Sequence, residues 1–399
     1  MSRQGSSPII ASLDGRHNWN QGRGVLKTDH TVIAVAPSEN GGDPDDIQIA
    51  INAMEHLGGG VVSLRVGTYL PEDDIVIPDN VTLEGEIGDA CVVDFQSGAF
   101  QIKAQGANAY TTGTVSVNNN SDTVTGSGTA WTTAMIGQSI ILSGIWFVIT
   151  DVASTTSLTI EAPFDYPTIS GQNYVIADTV SGMTVRNLTI QNSTAATGGL
   201  LYQYVNGGYV RGVTVYDSTI GLNFLDCSYV SATGWTAIGN ATGANVDNCG
   251  VWTFNDFGAY SSTGDNMVIN RMISASMSNA TLSSAGANGA TITNSSNWGF
   301  YDMTVTTNTG KGVEISTSSA MQLFSLSVQN NGSDGIKLTS NADRIMMNNI
   351  YSASNTGYGF NIANANCDKN NITSCHTVSN TAGTINNSGT STILANNQT

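Results

Sequence analysis

Five carboxylates in the C-terminal half of the chain have the types and spacing for acid–base chemistry: Asp226, Asp247, Asp256, Asp302 and Glu314. Cleaving a glycosidic bond takes two such groups, about 5–5.5 Å apart for retention of configuration or about 6.5–9.5 Å for inversion. Asp226 follows Gly221 by five residues and Asp247 follows Gly243 by four, which places both near one corner of adjacent repeats. Like charges there raise the pKa of one member of the pair. The plainer reading is two solvated turn aspartates. A second pattern, W-x-F-x-D, occurs as WTFND at 252–256 and WGFYD at 298–302. Trp235, Trp252 and Trp298 are candidates to stack on sugar rings beside these acids. The alternative is an internal aromatic stack, because Met321 and Leu323 take the Trp and Phe places in a later repeat.

Other reactive residues form no constellation. Glu314 and Lys337 hold equivalent places in successive repeats, which suits a ladder ion pair as well as catalysis. Arg186, Arg211, Arg271 and Arg344 offer a lyase base, a partner for acidic sugars, or surface structure. His17, His30, His56 and His376 do not cluster, and the five cysteines show no metal-ligand spacing. No metal or cofactor is therefore expected. Cys227 and Cys249 each fall six residues after their glycine, so they stack as a small-residue ladder rather than a disulfide.

The elements that position these residues repeat. A glycine followed by an apolar–polar–apolar triplet recurs at Gly199, Gly221, Gly243, Gly264, Gly289, Gly312, Gly335, Gly359 and Gly383, with Gly264 the poorest match. An asparagine precedes the next glycine by three or four residues at Asn240, Asn308, Asn331, Asn355 and Asn380. A period near 23 with three short strands per unit is the signature of a parallel β-solenoid. The asparagines are then expected to pass hydrogen bonds from coil to coil. Leucine-rich repeats are the competing solenoid, but the LxxLxLxxN spacing is missing.

Four zones follow. Residues 1–28 read as a polar arm or adaptor. Residues 29–108 hold one helix, DPDDIQIAINAMEHLGGG, and the first coils; Asp43 is its expected N-cap, Pro44 its first residue and Gly58 its stop. Residues 109–178 alternate over short strands between turn signals and read as an inserted antiparallel β module. Residues 179–399 are the main β-helix of about nine coils. The formal net charge of −17 argues against nucleic acid and anionic membrane as partners. Neither an apolar signal region nor a membrane-spanning stretch is expected.

The stretch DDIQIAINAMEHLGGGVVSLRVGTYLPEDDIVIPDNVTLEGE resembles the N-terminal cap of pectate-lyase-like right-handed β-helices, which is common in bacteriophage tailspikes. The insertion also resembles a small β module of phage virion proteins. The resemblance implies a homotrimer and a virion spike made in the host cytoplasm. It further implies attachment to other virion proteins through the arm, and binding of a host surface polysaccharide with or without depolymerising it. It implies no particular catalytic residue. The calcium-cluster aspartates of pectate lyases and the NTD, DD, GHG and RIK motifs of polygalacturonases are absent from the coils. A glycoside hydrolase or polysaccharide lyase, a non-catalytic capsid or tail component, and a secreted polysaccharide enzyme all stay open.

Overall fold

A computed structural model describes residues 32–96, 98–196 and 198–399. The expected arm at 1–28, with His17 and His30, lies outside them. The chain winds as a parallel β-helix with three strands per coil. One strand of each coil joins an eleven-stranded narrow sheet, and the other two join a nineteen-stranded wide sheet that bends between them. Nine of the narrow strands, from Leu200–Gln203 to Gly383–Asn387, belong to the repeat zone. Neighbouring rungs are about 4.8 Å apart.

The composition follows from the corners. Each coil turns through residues in the left-handed backbone region, and equivalent residues stack in rows. One row runs Tyr204, Asp226, Asn248, Arg271, Asn294, Thr317; another runs Asp256, Asn279, Asp302, Ser325, Asn349. Left-handed backbone costs an ordinary side chain roughly 1–2 kcal/mol, least for Asn, Asp and Gly. These residues therefore stand where helices and open sheets would not want them.

Inside the coils the pattern is aliphatic and aromatic. Leu222, Ala244, Met267, Ala290, Val313 and Ile336 occupy successive rungs of the narrow sheet and are fully or almost fully buried. The glycine register is tighter than the sequence suggested. Met267 pairs between Ala244 and Ala290, so Asn266, not Gly264, holds the glycine position; Thr384, not Gly383, holds the last. The glycines make room. A Cβ on Gly312 would stand 2.5 Å from Val328, 2.6 Å from the Gly335 carbonyl and 3.0 Å from the Asn331 amide.

That amide belongs to the expected asparagine ladder. Asn308 Nδ2 donates to Asn331 Oδ1, Asn331 Nδ2 to Asn355 Oδ1 and Asn355 Nδ2 to Asn380 Oδ1, each at 2.9 Å. Two rungs of the row hold Ser262 and Ala285 instead. There Asn266 reaches across from the glycine position, donating to Asn308 Oδ1 at 3.1 Å and accepting from the Ser262 N–H at 3.4 Å. The amide is kept and only its side of origin changes.

The helix Asp46–His56 closes the N-terminal end, burying Ile47, Ala50, Ile51 and Met54. It starts later than expected: Asp43 and Pro44 belong to the preceding turn, and Asp46 accepts from the Asp43 N–H at 2.9 Å. Gly58, at φ 83°, ends it. Gln48 caps the first narrow strand, Ile75–Val76, by accepting from the Val76 N–H and donating to its carbonyl. An edge strand is thereby closed to further pairing.

Candidate functional site

Residues Ala107–Asp178 form an eight-stranded antiparallel sheet with its own core around Trp131, Phe147, Leu158 and Phe164. It leaves the coil at Gly106 and returns at Val180, beside Tyr204 in the corner row that continues through Asp226 and Arg271. The module therefore lies along that row. A two-residue hairpin, Ser143 (φ 50°) and Gly144 (φ 79°), forms the docking point. Buried Ser228 donates to the Gly144 carbonyl at 2.8 Å and accepts from the Trp146 N–H at 3.1 Å. Trp146 packs edge-on to Tyr204, and its indole N–H donates to the Asp226 carbonyl. A Cβ on Gly250 would stand 2.6 Å from the Gly144 carbonyl oxygen, so backbone meets backbone here.

Beyond this contact the module and the coils diverge into a groove of about 450 Å³. Its floor is two corner rows, with Asn248, Arg271 and Asn294 in one and Ser274 and Asn297 in the other. Its wall is Tyr166–Ile169, Gln172 and Asn173 of the module. Burial, with smaller contributions from Tyr229 and Asp165, holds the Tyr166 hydroxyl above its ordinary pKa.

Two expected acids lie just behind the floor. Asp226 accepts from Asn248 Nδ2 at 2.6 Å, and Asp247 is gripped by Arg271 through two bonds of 2.9 and 2.8 Å, with Asn270 as a third donor. The Asp226 carboxyl is pushed above its ordinary pKa, chiefly by burial and secondarily by the Asp247 charge, against the pull of Asn248 and Arg271. Like-charge repulsion is thus present, but desolvation outweighs it.

The other acids are elsewhere. Asp256 and Asp302 sit in the corner row of the wide sheet, exposed, with Asn279 between them. Glu314 lies on the narrow sheet, where it pairs with Lys311 at 2.9 Å; Lys337 is its rung neighbour but not its ion-pair partner. The five carboxylates therefore occupy three faces. The expected stacking role of the tryptophans is corrected by their burial: Trp235, Trp252 and Trp298 are 0, 2 and 3% exposed within the core. Trp252 and Trp298 share one row with Ala275 between them, and small Ala275 leaves room for two large rings. Cys227 and Cys249 stack on adjacent coils as free buried thiols, and burial drives the Cys249 thiol well above its ordinary pKa. Arg344 is in the next corner row, and His376 packs on Tyr351. Among the described residues, no three His, Cys, Asp or Glu side chains are placed to share a metal ion, and no helix is long and apolar enough to cross a membrane.

The chain is a right-handed parallel β-helix: residues 238–399 match the family described as "Right handed beta helix region". Solved structures with this fold include the mannuronan C-5 epimerase AlgE6 A-module of Azotobacter vinelandii, at 13% identity and TM-score 0.57, covering 88% of this chain and 94% of that one. The tailspike protein gp49 of Pseudomonas phage LKA1 is similar at 15% identity and TM-score 0.58, covering 89% and 74%. The catalytic unit of the GH87 α-1,3-glucanase of Streptomyces thermodiastaticus strain HF3-3 is similar at 11% identity and TM-score 0.55, covering 92% and 69%. No curated protein matches the sequence.

Proposed function

We propose that this chain is a polysaccharide-binding spike of the tailspike kind, holding host surface glycan in the groove between the module and the coils. The lining of that groove carries the reading. Neutral amides of Gln172, Asn173, Asn248, Asn294 and Asn297, with serine hydroxyls, supply donors and acceptors matched to sugar hydroxyls, and Tyr166 supplies a ring. Binding without cleavage is favoured because the two nearest acids, Asp226 and Asp247, already have side-chain partners. The similar folds support the reading: one is a tailspike, one is named for mannuronan and one for α-1,3-glucan. In this reading the protein is a homotrimeric virion component joined to other virion proteins through residues 1–28.

The test is titration of the full chain with capsular and lipopolysaccharide glycans of candidate hosts, following heat, reducing ends and absorbance of unsaturated sugars. A glycan should bind without releasing either product. The double change Tyr166→Ala with Asn297→Ala should weaken binding at least about tenfold with unaltered circular dichroism. Unchanged affinity would remove the groove from the reading, and product release would replace binding by catalysis. Light scattering should give three chain masses; a mass of 41.6 kDa refutes the trimer.

A further inference from the structure

A second groove, sharing no residue with the first, crosses the wide sheet. The corner row there begins Asn187, Gly212, Gly234, Asp256. Further along, Asn279, Asp302 and Ser325 project side chains from this row; Gly212 and Gly234 project none. The result is a trench of about 500 Å³, with Arg186 and Asn187 toward one end and Asp256 toward the other.

The trench has an unbalanced cation. Glu84, Arg186, Arg211 and Thr233 are successive rungs of one outward row. Arg186 is held by Glu84, with its Nε at 2.6 Å. Arg211 stacks directly on Arg186, and its other neighbour is the neutral Thr233. Among the described residues Arg211 has no ion-pair partner, as is also true of Lys337 and Arg344, whereas Arg65, Lys103, Arg186, Arg271, Lys311 and Lys369 all have one. Of the three, Arg211 is the one set on a rung beside another arginine. Like charges on adjacent rungs destabilise a sheet, and the chain has 30 acidic residues against 13 basic ones from which to neutralise this one. Two residues before Arg211 on the same face stands Tyr209, whose side chain is 58% exposed. An exposed ring beside an exposed guanidinium suits a ligand that is flat on one side and anionic at its edge.

We propose that this trench is a second saccharide site, selective for an acidic sugar unit. The sugar carboxylate pairs with Arg211, its ring lies along Tyr209, and hydroxyls of the next unit donate to Asp256. Asp256 lies two rungs from Arg211, about 10 Å at 4.8 Å per rung, which is the reach of a disaccharide. The inference shares the ligand class of the reading above but rests on separate residues, so the two fail separately.

The probes are a short oligogalacturonate and a short oligomannuronate, each also in carboxyl-reduced form, titrated into the full chain by calorimetry at low and physiological salt. At least one acidic oligomer should bind, its reduced form at least about tenfold more weakly, with affinity falling as salt rises. Arg211→Ala should lose about tenfold, and Tyr209→Ala should also weaken binding. The Tyr166→Ala, Asn297→Ala pair should leave this binding unchanged. Arg211→Ala should melt no lower than the parent, since it relieves repulsion from Arg186; a lower melting temperature would mark Arg211 as structural and overturn the assignment. It is equally overturned if neither acidic oligomer binds, if the reduced forms bind as well, or if Arg211→Ala binds like the parent.

Discussion

Replacing Asn331 by Ala removes one rung of the asparagine ladder, and the cost can be worked from its bonds. Asn331 Oδ1 accepts from the Asn308 backbone N–H at 3.2 Å and from Asn308 Nδ2 at 2.9 Å; its Nδ2 donates to the Val305 carbonyl at 3.3 Å and to Asn355 Oδ1 at 2.9 Å. Three of these four partners keep another bond. Asn308 Nδ2 still reaches the Leu282 carbonyl, Asn355 Oδ1 still accepts from the Asn331 backbone, and the Val305 carbonyl lies in a paired strand. The Asn308 backbone N–H is left with no acceptor in a buried corner. One orphaned donor at about 1–3 kcal/mol plus the weaker losses gives about 3 kcal/mol. At about 2.1 cal/mol/K per residue over 399 residues, the melting temperature falls by about 4 °C if the chain melts as one unit. Hydrogen exchange reads the effect locally: the Asn308 amide should exchange about 10²-fold faster. Asn330→Ala is the control. Asn330 is exposed and left-handed, so its replacement costs only about 1 kcal/mol of backbone preference and leaves the Asn308 amide protected. If Asn331→Ala leaves both the melting temperature and Asn308 exchange unchanged, the ladder does not carry the corner.

The swapped rung gives a second test: Asn266→Gly should destabilise, and Asn266→Gly with Ala285→Asn should recover most of the loss in thermal melts, because position 285 faces the same Ser262 and Asn308 partners. Gly250→Ala should force the module off its docking point, seen as faster proteolysis between 107 and 178 with the coil circular dichroism retained; Ser228→Ala should do so more mildly, by about 1–2 kcal/mol for two lost bonds. Asp226 has a carboxyl whose pKa is higher in the fold than in the unfolded chain. It binds its proton more readily when folded, so lowering pH through the folded value and toward the unfolded one adds stability. Comparing melting curves of the parent and Asp226→Asn from neutral to mildly acidic pH should show that increment only in the parent.

The solenoid, its period, the asparagine ladder, the capping helix and the antiparallel character of the insert are all legible in the sequence. These are repetitive or local: a coil pairs only with its neighbours, so spacing along the chain is spacing in space. Even the defects were partly legible, since Gly264 was a poor match; what was not legible was that Asn266 had taken over the work of a missing corner amide, because two side chains approaching one place from opposite strands share no sequence spacing. The acids were harder. A position within the repeat says which row a residue joins but not what desolvates it, so the sequence sets Asp226 and Asp247 at one corner without showing the covering module. It also leaves both a sugar-stacking and an internal-stack reading of Trp235, Trp252 and Trp298, which their burial decides for the core. Both grooves belong to the tertiary structure alone. One exists because a module inserted at Gly106 folds back over coils more than a hundred residues further along the chain. The other exists because two glycines happen to be adjacent in a corner row whose neighbours carry side chains. Docking of distant segments and the absence of a side chain both create space, and space leaves no period in a sequence.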